Sequence, residues 1–251
     1  MKAARLLVIV VLGSLAAALV AAGSSGSTSL VLEHGPPAFL VGHSASLNWS
    51  GYSSYSGNGT FTDVKGSWTQ PTATCSNKTA YSSFWVGLDG YNSNSVEQLG
   101  TEADCSHGRP VYYAWWEMYP SPSNTISGFT VTPGVSYTGE VKYNGSGSFT
   151  LTLSGGGNSF STTKTLANPG LTSAEWIAEA PSLCARSCRV LPLTNFGTVN
   201  FSGSSANGNA ISDSAWSVDP LTMVTSGGQV KAAPSALDSS GSAFSVTWAH
   251  S

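Results

Sequence analysis

Four carboxylates stand in surroundings that resist charge. Asp89 lies in GLDG, Glu117 in WWEMYP, and Glu175 and Glu179 in AEWIAEAP. A carboxyl flanked by aromatic and aliphatic groups is desolvated, which raises its pKa. Such a group can act as a general acid or base in acidic solution. For each, the bland alternative is a buried carboxylate satisfied by backbone N–H groups. Glu175 and Glu179 are four apart, so they share a face in a strand and also in a helix. Between WVGLDG (Trp85–Gly90) and AWWEMYP (Ala114–Pro120) runs VEQLGTEADC, Val96–Cys105. This stretch gathers a glutamine, three acidic residues and a cysteine between two apolar runs.

Other chemistries lack their motifs. There is no HExxH, no P-loop and no dinucleotide fingerprint. GHSAS, Gly42–Ser46, approaches a nucleophile elbow but lacks its final glycine and does not follow a buried strand. Of His34, His43, His107 and His250, three fall near the termini or in a linker-like stretch. They are poor material for a catalytic triad. No histidine sits at ligand spacing beside the cysteines, so no metal site is expected.

The elements that must position these residues follow from composition and pattern. Apolar residues make up 41 % of the 251, enough for a substantial core. Charged residues are only 9 %, against about 25 % in an average globular protein. Solubility then rests on Ser, Thr, Asn and Gly, which suits a secreted protein and one working in acid, where ion pairs fail. The net charge is −3 with no basic run, which argues against a nucleic-acid partner.

Residues 1–23 read as a signal peptide: Lys2 and Arg5, an apolar stretch, then small residues at Ala21–Gly23. A membrane anchor is the alternative there. No later segment is long and apolar enough to span a bilayer. Export makes disulfides plausible for the 4 cysteines. Cys184 and Cys188 can close a small loop, which leaves Cys75 to pair with Cys105. Residues 24–47 are Ser- and Gly-rich with Pro36–Pro37, and read as a linker or short pro-segment.

From residue 48 to 251 the pattern is strand after strand. Period-two alternation over Ser127–Leu166 is broken by PG, NGSG and GGGN, which are hairpin signals. TSAEWIAEA alone resembles a helix, and a strand is equally allowed. Many short strands with Gly-rich turns imply an all-β protein, an antiparallel β-sandwich or barrel. One concave face stays free, where some of the eight Trp residues could line a cleft.

NWSGY (Asn48–Tyr52), WVGLDG, VEQLG, AWWEMYP and AEWIAEAP occur in that order. Together they resemble the glutamic peptidases, also called eqolisins or the G1 peptidase family, over Trp49 to about Phe201. The resemblance implies a sandwich of two large antiparallel sheets, concanavalin-like or jelly-roll-like, with a concave substrate cleft. It implies a secreted acid endopeptidase acting on polypeptides, with no cofactor and no metal. The family glutamine maps to Gln98 and the family glutamate to Glu179. Trp49, Trp85, Asp89, Glu102, Trp115 and Glu117 map around them as substrate-binding or supporting residues, with Asp89 or Glu102 orienting Gln98. Glu97 is the register alternative, because a one-residue slip moves a side chain across the sheet. The short segment 24–47 is similar to prokaryotic rather than fungal members.

Two rivals remain at this level. One is a carbohydrate-binding or glycoside-cleaving sandwich, with Glu117 and Glu179 as the carboxyl pair. The other is a non-catalytic adhesion module. An amide facing Glu179 favours the peptidase; a second carboxyl favours the glycosidase. With no sustained amphipathic helix to offer a partner, a monomer is expected.

Overall fold

The computed structural model describes residues 31–41, 44–184 and 186–251, and the signal-peptide reading falls outside them, as does most of the GHSAS elbow's front half. Among the described residues there are strands and no helix. In chain order they begin with β1 (Val31–Glu33), β2 (Phe39–Val41), β3 (Ala45–Ser46), β4 (Trp49–Tyr55) and β5 (Asp63–Thr69). Next come β6 (Ser83–Leu88), β7 (Val96–Glu102), β8 (Asp104–Ser106), β9 (Arg109–Val111), β10 (Ala114–Tyr119) and β11 (Asn124–Thr125). A long meander follows: β12 (Ser136–Gly145), β13 (Ser148–Gly155) and β14 (Asn158–Thr165). Then come β15 (Ser173–Glu179), β16 (Ser182–Cys184) and β17 (Cys188–Val190). The chain closes with β18 (Thr198–Ala206), β19 (Asn209–Ala210), β20 (Ser217–Val224), β21 (Val230–Pro234) and β22 (Phe244–Trp248).

Two antiparallel sheets stack. The site sheet has the spatial order β20-β4-β15-β6-β7-β10-β11. The second runs β14-β13-β12-β5-β18-β22-β21-β20. Strand β20 belongs to both, so the hydrogen-bonded path closes along one edge of the sandwich. The expected all-β sandwich is the observed fold.

Side-chain alternation divides the site sheet into two faces. Val86, Leu99, Ala174 and Trp176 point into the sandwich, where they meet Val64, Trp68, Val141 and Leu151 in the main core. The indole N–H of Trp68 donates to Thr101 Oγ1 across the core at 2.7 Å. The opposite face carries a smaller apolar cluster of Trp49, Trp85, Tyr91, Val96, Trp115, Ile177 and Leu221. Three of the eight tryptophans thus lie on that outer face, whereas Trp68 and Trp176 are core.

TSAEWIAEA is a strand, not a helix. It lies between β4 and β6, with both faces covered, so every residue of β15 is buried. A strand buried on both faces shows no polar alternation. Two disulfides join Cys75 to Cys105 and Cys184 to Cys188, the expected pairs. No helix among the described residues is long and apolar enough to cross a membrane.

Candidate active site

Strand register brings the acidic motifs to one face. Directly across the sheet runs the row Ser53, Glu175, Gly87, Gln98 and Glu117. Four residues along lies a second polar row, Trp49, Glu179, Ser83 and Glu102. Between them runs Gly51, Ile177, Trp85, Gly100 and Trp115. The glycines have a steric reason. A Cβ on Gly100 would lie 2.6 Å from Trp85 Cβ, and one on Gly87 would lie 3.0 Å from Gln98 Cβ. The motif WVGLDG therefore keeps room for the Trp85 indole and the Gln98 side chain to lie over the sheet.

Gln98, Glu102, Glu117 and Glu179 are all fully buried. The Gln98 side-chain amide donates from Nε2 to Glu117 Oε2 at 3.3 Å and, in a short contact, to the backbone carbonyl of His34. The Trp85 indole N–H donates to Glu179 Oε2 at 2.8 Å. The nearby Asn48 and Trp49 side chains, like Trp85, pull the pKa of this carboxyl down. Glu179 Oε1 and Gln98 Oε1 have no hydrogen-bond partner among the described residues.

His34 sits at the centre. Its ring stacks on Trp115, with centroids 3.6 Å apart and planes 8° from parallel. Its Nδ1 lies 3.2 Å from Ser83 Oγ and 3.5 Å from Glu179 Oε2, and its Nε2 lies 3.3 Å from Glu102 Oε1. Burial pulls the imidazole down to about 3, so it is neutral. Burial also lifts Glu102, Glu117, Glu175 and Glu179 well above the usual carboxylate range. Neighbouring carboxyls reinforce this: Asp104 beside Glu102, Glu179 beside Glu117, and Asp89 beside Glu175.

The residues named from sequence divide between two places. Trp49, Trp85, Gln98, Glu102, Trp115, Glu117 and Glu179 converge on the outer face of the site sheet. Asp89 does not. It holds a turn at φ 66°, and its carboxylate accepts from the Leu171 and Thr172 N–H groups at 2.7 and 2.8 Å, and from Thr172 Oγ1. The group that bonds the Gln98 amide is Glu117, rather than Asp89 or Glu102. Glu97 pairs with Leu88 and Met118, so alternation turns it to the opposite face from Gln98. An amide, Gln98, and two carboxyls, Glu102 and Glu117, thus share the outer face with Glu179.

His34 is a residue that sequence reading assigned to a linker. Nothing local marks it; it reaches the site because β1 docks on β16. A cavity of about 1070 Å³ lies elsewhere, around Cys75, Leu193 and Lys231. The cleft itself is occupied by the chain.

Residues 47–248 match the Peptidase A4 family. No curated protein matches the chain. Among solved structures it is similar to scytalido-glutamic peptidase bound to a transition-state analogue inhibitor. The TM-score is 0.69 at 24 % identity, over 80 % of this chain and 98 % of that one. It is similar to SCP-B, a member of the eqolisin family of peptidases, in complex with the tripeptide Ala-Ile-His. There the TM-score is 0.64 at 22 % identity, over 80 % of this chain and 98 % of that one. Aspergilloglutamic peptidase from Aspergillus niger gives a TM-score of 0.58 at 25 % identity, over 68 % of this chain and 99 % of that one. Likeness at this level of identity speaks for a shared fold.

Proposed function

The chain belongs to the Peptidase A4 family and is a peptide hydrolase; from that premise we propose that it cleaves peptide bonds in acid with a Gln98–Glu179 pair. Glu179, as carboxylate, takes a proton from a water that attacks the peptide carbonyl. The Gln98 amide N–H donates to the oxyanion that forms. Glu179 then returns the proton to the leaving nitrogen. An amide donor suits acid because it does not titrate there. Glu117 holds the amide in place by accepting its other N–H.

One observation carries this reading. The Gln98 amide already donates to a peptide carbonyl, that of His34, and the ring of the same residue lies 3.5 Å from Glu179. Trp49, Trp85 and Trp115 wall the space around it. The two disulfides and the N-terminal pattern of residues 1–23 support export, so the enzyme is read as a secreted one.

The test is hydrolysis of a denatured protein in acidic buffer with pepstatin present. Wild type is expected to cleave, and folded Glu179→Gln and Gln98→Ala to lose at least about 100-fold in kcat, the scale of one oxyanion donor. Undiminished cleavage by folded Gln98→Ala would move that role to another group.

A further inference from the structure

Residues 31–38 cross the outer face of the site sheet, extended over Val31–Glu33 and bending at Pro36. Strand β1 adds to the edge of β16, pairing Val31 with Cys184, Leu32 with Leu183 and Glu33 with Ser182. At His34 the N–H donates to Glu117 Oε2 at 3.0 Å and the carbonyl accepts from Gln98. On the other side, the Gly35 carbonyl accepts from Trp49 Nε1 at 3.1 Å. The Pro36 carbonyl accepts from Asn48 Nδ2 at 3.2 Å, and Ala38 N–H donates to Asn48 Oδ1 at 2.8 Å. A mere linker has no need to place its backbone on Gln98 and Glu117. A bound substrate does, because edge pairing and backbone hydrogen bonds are how an extended peptide is gripped.

We propose that the bond between His34 and Gly35 is a self-processing site, and that the segment before it fills the cleft until that bond is cut. The inference rests on the Gln98–Glu179 reading. Water oxygen bonds to the His34 carbonyl carbon while its proton passes to Glu179. The oxyanion rests on Gln98 Nε2–H. Glu179 gives the proton to the Gly35 nitrogen, and the C–N bond breaks. His34 becomes a C-terminal carboxylate and Gly35 an N-terminal amine. The two products then differ in their hold. Among the described residues the upstream piece keeps β1 on β16, the His34 ring on Trp115 and the His34 N–H on Glu117, but its new terminal carboxylate stands against the Glu117 and Glu179 carboxyls, which like charge disfavours. The downstream piece remains tied by Asn48, by Leu47 N–H on the Ala38 carbonyl, and by β2 on β3. Cutting therefore empties the half of the cleft where His34 lies and leaves the sandwich intact.

The experiment moves the full chain from neutral to acidic buffer and follows two readouts together: mass spectrometry of the chain and cleavage of denatured casein. In wild type, a new N-terminus at Gly35 is expected to appear in step with casein cleavage, and in Glu179→Gln neither. A second variant, Leu32→Pro/His34→Ala, loosens the segment without touching the sandwich. Casein cleavage by wild type with the 34–35 bond intact would overturn this inference and leave the peptidase reading standing. So would a silent wild type beside an active loosened variant, since the segment would then block without being cut. Silence from both folded proteins would remove the peptidase reading and this inference with it.

Discussion

Glu179 raises a question of protonation state. A general base must be ionised at the working pH, yet burial lifts this carboxyl well above 4.5, while donors at Trp85, Asn48 and Trp49 pull it down. The Trp85 N–H favours the ionised form that a base needs, against the pull of burial. Trp85→Phe tests the donor's part. It removes the 2.8 Å N–H and keeps an aromatic ring against Trp49. The acid limb of kcat/KM against pH is expected to move up by about one unit, the equivalent of one hydrogen bond to a charged group. An unmoved limb would mean that Trp85 serves packing alone. At this scale the sequence was legible where residues sit in recognisable motifs, as Gln98, Glu117 and Glu179 do. His34 was not, because no short-range pattern distinguishes a strand that docks in a cleft from a proline-bearing linker.

Elements place these residues by long-range pairing. AEWIAEA suits helix and strand equally by spacing; its neighbours decide, and they are 85 and more residues away in β6 and β4. A central strand has no solvent face to print an alternation on its sequence. The hairpins of β12–β14 were legible for the opposite reason: their alternation and glycine turns are local. WVGLDG combines both kinds of information. Its glycine accommodates Gln98 and Trp85, whereas its aspartate clamps the loop before β15 through three hydrogen bonds. Asp89→Ala is therefore expected to cost about 2–4 kcal/mol in urea unfolding, because buried N–H groups lose their acceptor. Asp89→Asn, which tolerates positive φ and keeps one acceptor, is expected to recover part of it. Specific activity per folded molecule should hardly change in either. A large fall in kcat with unchanged stability would return Asp89 to the reacting centre.

For the whole molecule, the buried carboxyls set the pH at which folding is most favourable. Glu97, Glu102, Glu117, Glu175 and Glu179 are all raised, chiefly by burial, and burial lifts Asp104 to about 7. A carboxyl with a raised folded pKa binds its proton more tightly when folded. Its stabilising contribution is complete below the unfolded value near 4.5 and is lost as pH climbs through the folded value. His34 works the other way: lowered to about 3 from 6.5, it favours the fold above 6.5 and loses that contribution as pH falls toward 3. Each fully mismatched group changes stability by about 1.4 kcal/mol per pH unit. Six carboxyl groups oppose one imidazole, so their combined slope overtakes His34 as soon as a small fraction of each ionises in the unfolded chain. The melting temperature of the uncut chain is accordingly expected to peak near pH 4 and to fall steadily toward neutrality, as scanning calorimetry across pH 3–8 of the processing-deficient Gln98→Ala chain, which keeps His34 and all six carboxyls, would read. Glu175→Gln keeps the shape beside Ser53 and has no proton to lose. In the same uncut background it should flatten the neutral limb while leaving the acidic limb, governed by His34, unchanged. A melting temperature of the uncut Gln98→Ala chain that is higher at pH 7 than at pH 4 would mean that these carboxyls are ionised in the fold. The low charge of the chain, 9 %, fits the expected direction: a protein held together by uncharged contacts and protonated carboxyls has little to lose in acid and much to lose outside it.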